Sequence, residues 1–178
     1  MKNIKGFTLV ELLIVMAIIG IVAAIAAPSM SGLVRKNKIQ NQTRKLYSDI
    51  MNMRIMAMNN NRTHFMVFTP PNQYQVIEDT NGDGSPGATP PDTLRLARAA
   101  DIIFSASDST PQNETMEQTF TNNRVVYDAR GIATQQGAIC IPAPNLGELT
   151  NCIVVAPTRI RMGKFTGGAG GCNVASCN

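Results

Sequence analysis

Residues 5–27 read KGFTLVELLIVMAIIGIVAAIAA, and from Phe7 to Ala27 only Thr8 and Glu11 carry polar side chains. As a helix rising about 1.5 Å per residue, these 21 residues extend roughly 30 Å, the thickness of a bilayer's hydrocarbon core. Lys2 and Lys5 precede the run, so the positive-inside tendency keeps the N-terminus in the cytoplasm and carries the rest of the chain across. Glu11 needs a reason, because an acid at the centre of a membrane helix costs on the order of 2.5–3.5 kcal/mol and is normally kept for a partner. A secretory signal peptide cut after Ala24-Ile25-Ala26 is the plainer alternative. The run exceeds the usual apolar region of about 7 to 15 residues, Pro28 follows closely, and a discarded leader has no use for Glu11.

Beyond Pro28 the apolar pattern becomes periodic. Ile39, Thr43, Leu46, Ile50, Met53 and Ala57 recur at steps of four and three, which predicts one face of an amphipathic helix lying on a β-sheet. Only Gly32 interrupts residues 29–60, so one helix of about fifty residues continues from the apolar run. Met51, Met53, Met56 and Met58 read as adaptable packing beside that face. Gly20 weakens the helix and Pro28 removes one of its hydrogen bonds. Arg35, Lys36, Lys38, Arg44, Lys45, Arg54 and Arg62 face Asp49 alone in residues 35–62, and residues 78–117 reverse the sign. A basic stretch next to an apolar span is a solvated helix face, a contact for anionic headgroups, or a contact for a neighbouring subunit.

From His64 onward the chain changes to short β-type runs: His64–Thr69, Tyr74–Glu78, Ile102–Ser105, Arg124–Asp128, Ala138–Ile141 and Ile153–Phe165. Pro70-Pro71-Asn72 closes a first hairpin, Asn81 to Gly87 form an exposed loop, and Ala143 to Gly147 close a hairpin between Cys140 and Cys152. The predicted fold class is α+β, a long N-terminal helix packed on an antiparallel β-sheet domain. Its divisions are 1–6, 7–28, 29–62 and 63–178. Cys140, Cys152, Cys172 and Cys177 all follow the membrane-type segment, which favours disulfides in an oxidising compartment. Three pairings are open and the consecutive one is expected; zinc is disfavoured by gaps of eleven and four residues and by the distance to His64, the single histidine. The tail Gly167 to Cys172 has no periodicity and is flexible unless Cys172 and Cys177 hold it.

Lys5-Gly6-Phe7-Thr8-Leu9-Val10-Glu11-Leu12-Leu13-Ile14 resembles the class III signal of type IV prepilins and type II secretion pseudopilins. The resemblance implies that a prepilin peptidase cuts between Gly6 and Phe7 and methylates the new amino group of Phe7. It also implies a single-pass inner-membrane protein with an extracytoplasmic domain, which an assembly platform builds into a pilus or periplasmic pseudopilus beside other pilin subunits. Glu11 lies one helical turn from the Phe7 amino group, and in a filament it can pair with that group of an adjacent subunit. In similar pilins the stretch between Gly20 and Pro28 loses helical structure on assembly; a bend at the membrane exit is the other reading. Removing Lys2 and Lys5 with the leader takes the formal charge from +4 to +2. Residues 126–133 and 152–164 resemble the domain shared by the H pseudopilin of type II secretion and the FimT and FimU minor pilins, except that Thr158 stands where that group has glycine. This implies a minor subunit at or near the filament tip, with a major subunit as the alternative.

Two further clusters bear on binding. Asp79, Asn81 and Asp83 with Gly84 have the oxygen-ligand spacing of an EF-hand loop, but its twelfth position is Pro90 and no paired helices flank it. An acidic turn without metal is expected, with weak calcium binding by these three and Asp92 as the alternative. Arg159 and Arg161 alternate on a last strand with Lys164 near its end, and some FimT-like pilins bind DNA through a basic C-terminal stretch. Three cations without aromatic neighbours other than Phe165 make a small footprint, so a solvated or subunit-contacting face is expected. No nucleophile pairs with His64 and no phosphate-cradling glycine motif is present, so the chain reads as structural and not as an enzyme.

Overall fold

The computed structural model describes residues 7–87, 91–100, 103–104, 115–143, 147, 149–167 and 171–178; for residues 25–31, 103–104 and 115 the backbone alone is described. Among the described residues, one α-helix, α1 (Leu9–Asn60, 52 residues), precedes nine strands. These are β1 (His64–Thr69), β2 (Gln73–Glu78), β3 (Thr93–Ala99), β4 (Ile103–Phe104), β5 (Thr115–Gln118), β6 (Arg124–Tyr127), β7 (Gly137–Cys140), β8 (Cys152–Val155) and β9 (Ile160–Gly163). The chain forms two compact units, Met1–Asn37 and Lys38–Asn178, so the division falls inside the segment 29–62.

The first unit is the N-terminal part of α1. Thr8 caps it, its Oγ1 accepting the Glu11 N–H at 3.2 Å, which makes Glu11 the third residue of the first turn. The helical backbone is continuous through Gly20 and Pro28. Among the described residues no helix is long and apolar enough to cross a membrane. The run Phe7–Ala27 ends within the residues whose side chains are not described.

The second unit holds the core. Ile39, Leu46, Ile50, Met53 and Ala57 are fully buried and Thr43 nearly so, which places the predicted stripe against the sheets. Full burial of each larger side chain contributes about 1.5–3 kcal/mol. Their partners include Met66, Phe68, Tyr74, Val76, Val125, Ile139, Ile153 and Val155. Asn61 (φ 51°) ends α1 in the left-handed conformation, and the Arg62 N–H returns to the Ala57 carbonyl at 3.2 Å, a Schellman cap. One antiparallel sheet has the order β3-β2-β1-β6 and the other has the order β4-β5-β7-β8-β9, in which only β4 and β5 are parallel.

Alternation along β2 buries Tyr74, Val76 and Glu78. In β7 and β8 every residue is buried, because these strands are covered on both faces. Ile139, Ile153 and Val155 join the core beneath α1, whereas Ala138, Cys140, Cys152 and Val154 pack with Cys172, Cys177, Phe165 and Val174 of the tail. This corrects the consecutive disulfide pairing. The bonds are Cys140–Cys172 and Cys152–Cys177, with Cα separations of 5.6 and 5.9 Å. Cys140 and Cys152 both face away from α1, and the returning tail covers that face and brings its two cysteines to them. The run Ile153–Phe165 is likewise two strands. Pro157 lies in the turn between them, and the Ala156 N–H donates to the Arg159 carbonyl at 2.9 Å. Strands β3 and β5 are additional to the predicted set. Ile102 and Ser105, and Pro144 to Leu146 of the predicted hairpin turn, lie outside the described residues.

Candidate functional site

The N-terminal segment is apolar on every side. From Phe7 to Val22 each large apolar side chain is between 44% and 81% exposed. Burial of such a surface requires lipid or neighbouring helices. Glu11 is exposed within it, near the positive end of the helix dipole, where an anion is favoured. Gly6 and Pro90 are outside the described residues, and of Pro28 only the helical backbone is described. A Cβ placed on Gly20 would meet nothing within 4 Å, so packing does not require glycine there.

The basic C-terminal residues are not one strand-borne row. Arg159 is exposed in the turn before β9, Arg161 is exposed on β9 opposite Val154, and Lys164 is half-buried. Lys164 instead lines a groove of about 350 Å³ with Leu149, Asn151, Phe165 and Thr166. Its backbone pairs with Asn178, whose N–H donates to the Lys164 carbonyl at 3.0 Å. The helix cations also divide. Arg54 donates to the Gly131 carbonyl at 2.8 Å and Arg62 to the Thr80 carbonyl at 2.7 Å, whereas Lys38 and Arg44 are exposed.

Asp79, Asp83 and Asp92 bring carboxylate oxygens within 4.8 Å of one another. Backbone donors already organise them. Asp79 accepts the N–H groups of Gly82 (2.6 Å) and Gly84 (3.1 Å), and Asp92 those of Thr80 and Gly87 at 3.1 Å each. Asn81 is turned to Asp83, its Oδ1 accepting the Asp83 N–H at 2.9 Å and its Nδ2 donating to Asp83 Oδ2 at 3.0 Å. The oxygen donor chemistry suits calcium, but each of these contacts also serves a self-sufficient acidic turn.

Two buried acids were not singled out in the sequence. Asp49 accepts the Tyr74 hydroxyl at 2.6 Å and pairs with Arg98 Nε at 3.0 Å, joining α1 to β2 and β3. The single acid among seven cations is thus a buried tie, and its isolation was the available signal. Glu78 accepts from Asn60 Nδ2 at 3.0 Å and pairs with Arg95, while Nε2 of the buried His64 stands 3.6 Å away. His64 is therefore structural. Burial pushes the Tyr127 hydroxyl up to about 12, with Arg54 opposing. Burial alone would raise Asp128, but hydrogen bonds from Ile132 and Arg130 outweigh it and hold its carboxyl below the ordinary value.

Two family models match the chain: the prokaryotic N-terminal methylation motif over residues 1–27 and the type II transport protein GspH over residues 42–158. The second takes in the buried stripe from Gln42 and every strand through β8. The chain belongs to the GspH family. No curated protein and no solved structure matches it. GspH-family and pilin chains are structural subunits of secretion or pilus filaments. β9 and the disulfide-bonded tail lie beyond the matched GspH residues.

Proposed function

We propose that the chain is a minor structural subunit at or near the tip of a type II secretion pseudopilus or type IV pilus. It is cleaved between Gly6 and Phe7, methylated on Phe7, and assembled through residues 7–28. The observation that carries this reading is the exposure of every large apolar side chain from Phe7 to Val22 around a single carboxylate, Glu11. Before assembly lipid covers that surface, with the domain on the extracytoplasmic side where its disulfides form. In the filament neighbouring helices replace lipid, and Glu11 neutralises the Phe7 amino group of an adjacent subunit. The GspH match over residues 42–158 supports a minor rather than a bulk subunit.

Mass spectrometry of the processed chain tests the cleavage, with Phe7 expected as the N-terminal residue. A chain retaining Met1 in cells with active prepilin peptidase refutes it. Glu11→Ala should insert in the membrane yet enter filaments poorly, and normal incorporation would remove the proposed pairing. Quantitative proteomics of sheared filaments should find few copies per filament; abundance near the total filament mass would make this the bulk subunit.

A further inference from the structure

Cys140 and Cys152 stand directly opposite each other in the β7–β8 ladder. At the neighbouring position the Ile141 N–H donates to the Asn151 carbonyl at 2.8 Å, so the cysteines occupy a non-hydrogen-bonded pair. Cα atoms in such pairs lie about 4.5 Å apart, within the separation of roughly 4.4–6.8 Å that a disulfide bridges. Both side chains point to the tail face with Ala138 and Val154. Each is nevertheless bonded to the tail, in the crossed pattern Cys140–Cys172 and Cys152–Cys177. The register thus offers Cys140 and Cys152 a second partner in each other, and that bond leaves Cys172 and Cys177 to pair at equal oxidation state.

We propose that Cys140–Cys152 forms before either crossed bond and that the crossed set is reached from it by thiol–disulfide exchange, with an enzyme of the disulfide isomerase class as the partner. The proposal rests on register and connectivity alone. Closing a chain loop becomes less probable with about the 3/2 power of its length. The crossed bonds span 32 and 25 residues and Cys140–Cys152 spans 12, so the latter is favoured about fourfold and threefold. The β7–β8 hairpin itself presents that pair, and both cysteines precede the tail when the chain emerges from its N-terminal end.

A disulfide-bearing oxidant takes up two electrons for each initial bond, giving Cys140–Cys152 and Cys172–Cys177. The isomerase thiolate then attacks Cys140 Sγ, breaks its bond to Cys152 and releases the Cys152 thiolate. That thiolate attacks Cys177 Sγ, forming Cys152–Cys177 and releasing Cys172. The Cys172 thiolate attacks Cys140 Sγ in the mixed disulfide, forming Cys140–Cys172 and regenerating the isomerase thiolate. Two disulfides enter and two leave, so this stage needs no oxidant. The crossed set then withdraws from exchange. Cys177 is fully buried and Cys172 is 9% exposed, and the tail is zipped to the chain after β9 by Thr166–Ser176 and Lys164–Asn178 backbone bonds.

The test refolds the reduced full-length chain in detergent and glutathione buffer, traps thiols with N-ethylmaleimide at successive times, and maps disulfide-linked peptides by mass spectrometry. Cys140–Cys152 should exceed Cys140–Cys172 about threefold or more in the earliest samples and then decay into the crossed set. Added isomerase should speed that decay, and isomerase with its active cysteines alkylated should not. Crossed bonds appearing from the outset without Cys140–Cys152, or a decay indifferent to active isomerase, would overturn the proposal. The full-length variant Cys172→Ala, Cys177→Ala should oxidise to Cys140–Cys152, and two persistent free thiols in oxidised glutathione would equally overturn it.

Discussion

Replacing Asp49 by alanine should destabilise the domain by about 1.5–4 kcal/mol. The carboxylate, 4% exposed, accepts the Tyr74 hydroxyl at 2.6 Å, and hydrogen bonds to charged groups contribute about 1.5–3 kcal/mol each. Its pair with Arg98 Nε at 3.0 Å adds less, about 0–1 kcal/mol, because the arginine side chain is 41% exposed and can turn to water. Removing the carboxylate also relieves its desolvation, which holds the total near the lower end. The assay is urea unfolding of the full chain in detergent, followed by far-ultraviolet circular dichroism, for wild type, Asp49→Ala, Tyr74→Phe and the double variant. The coupling between the two changes should be about 1.5–3 kcal/mol, since both remove one hydrogen bond. Additive effects, or an Asp49→Ala variant within about 0.5 kcal/mol of wild type, would refute the claim that this buried pair ties α1 to the sheet.

Gly163→Ala should loosen the tail at a cost of about 1–3 kcal/mol, because its Cβ would lie 2.5 Å from the Asn178 carbonyl oxygen; faster proteolysis of the tail is the readout. Tyr127→Phe should fold as well as wild type near neutral pH, since the buried hydroxyl has no hydrogen-bond partner among the described residues. Wild type holds Tyr127 protonated up to about 12 against 10.0 when unfolded, so this contribution is complete below pH 10 and lost as pH rises toward 12; the variant should lack that part of the alkaline loss in pH-dependent unfolding. Millimolar calcium should leave the thermal midpoint where a chelator leaves it, and a rise abolished by Asp83→Ala would instead make the Asp79–Asp92 turn a metal site. Duplex DNA retention at physiological salt should be equal for wild type and Arg159→Ala, Arg161→Ala; weaker binding by the variant, with a salt slope flatter by about two, would establish phosphate contact.

Where periodicity was strong, the chain was legible. The stripe from Ile39 to Ala57 marked the buried face of α1, and Pro70-Pro71-Asn72 marked the turn between β1 and β2. The extended state of β3 was hidden because Leu94-Arg95-Leu96-Ala97-Arg98-Ala99 is built from good helix formers. Pairing with β2 imposes it, aided by the ion pairs of Arg95 with Glu78 and Arg98 with Asp49. Disulfide connectivity was illegible for a related reason. It depends on a tail returning across the sheet, and sequence spacing measures distance along the chain, not across a face. In the N-terminal segment, Phe7 and Glu11 stand out in the sequence by type and spacing, whereas the Thr8 cap that places Glu11 in the first turn emerged only from the backbone.

The crossed disulfides also set how the chain answers to tension. Residues 140–172 would otherwise lengthen by about 3.4 Å per residue when pulled straight, roughly 110 Å over the 32 residues between the bonded cysteines. With Cys140 joined to Cys172 that slack is withdrawn, and the second bond, from Cys152 to Cys177, locks the remaining end. A load carried from the helix into this domain can peel strands upstream of Cys140, but from there to the C-terminus it meets an almost inextensible link.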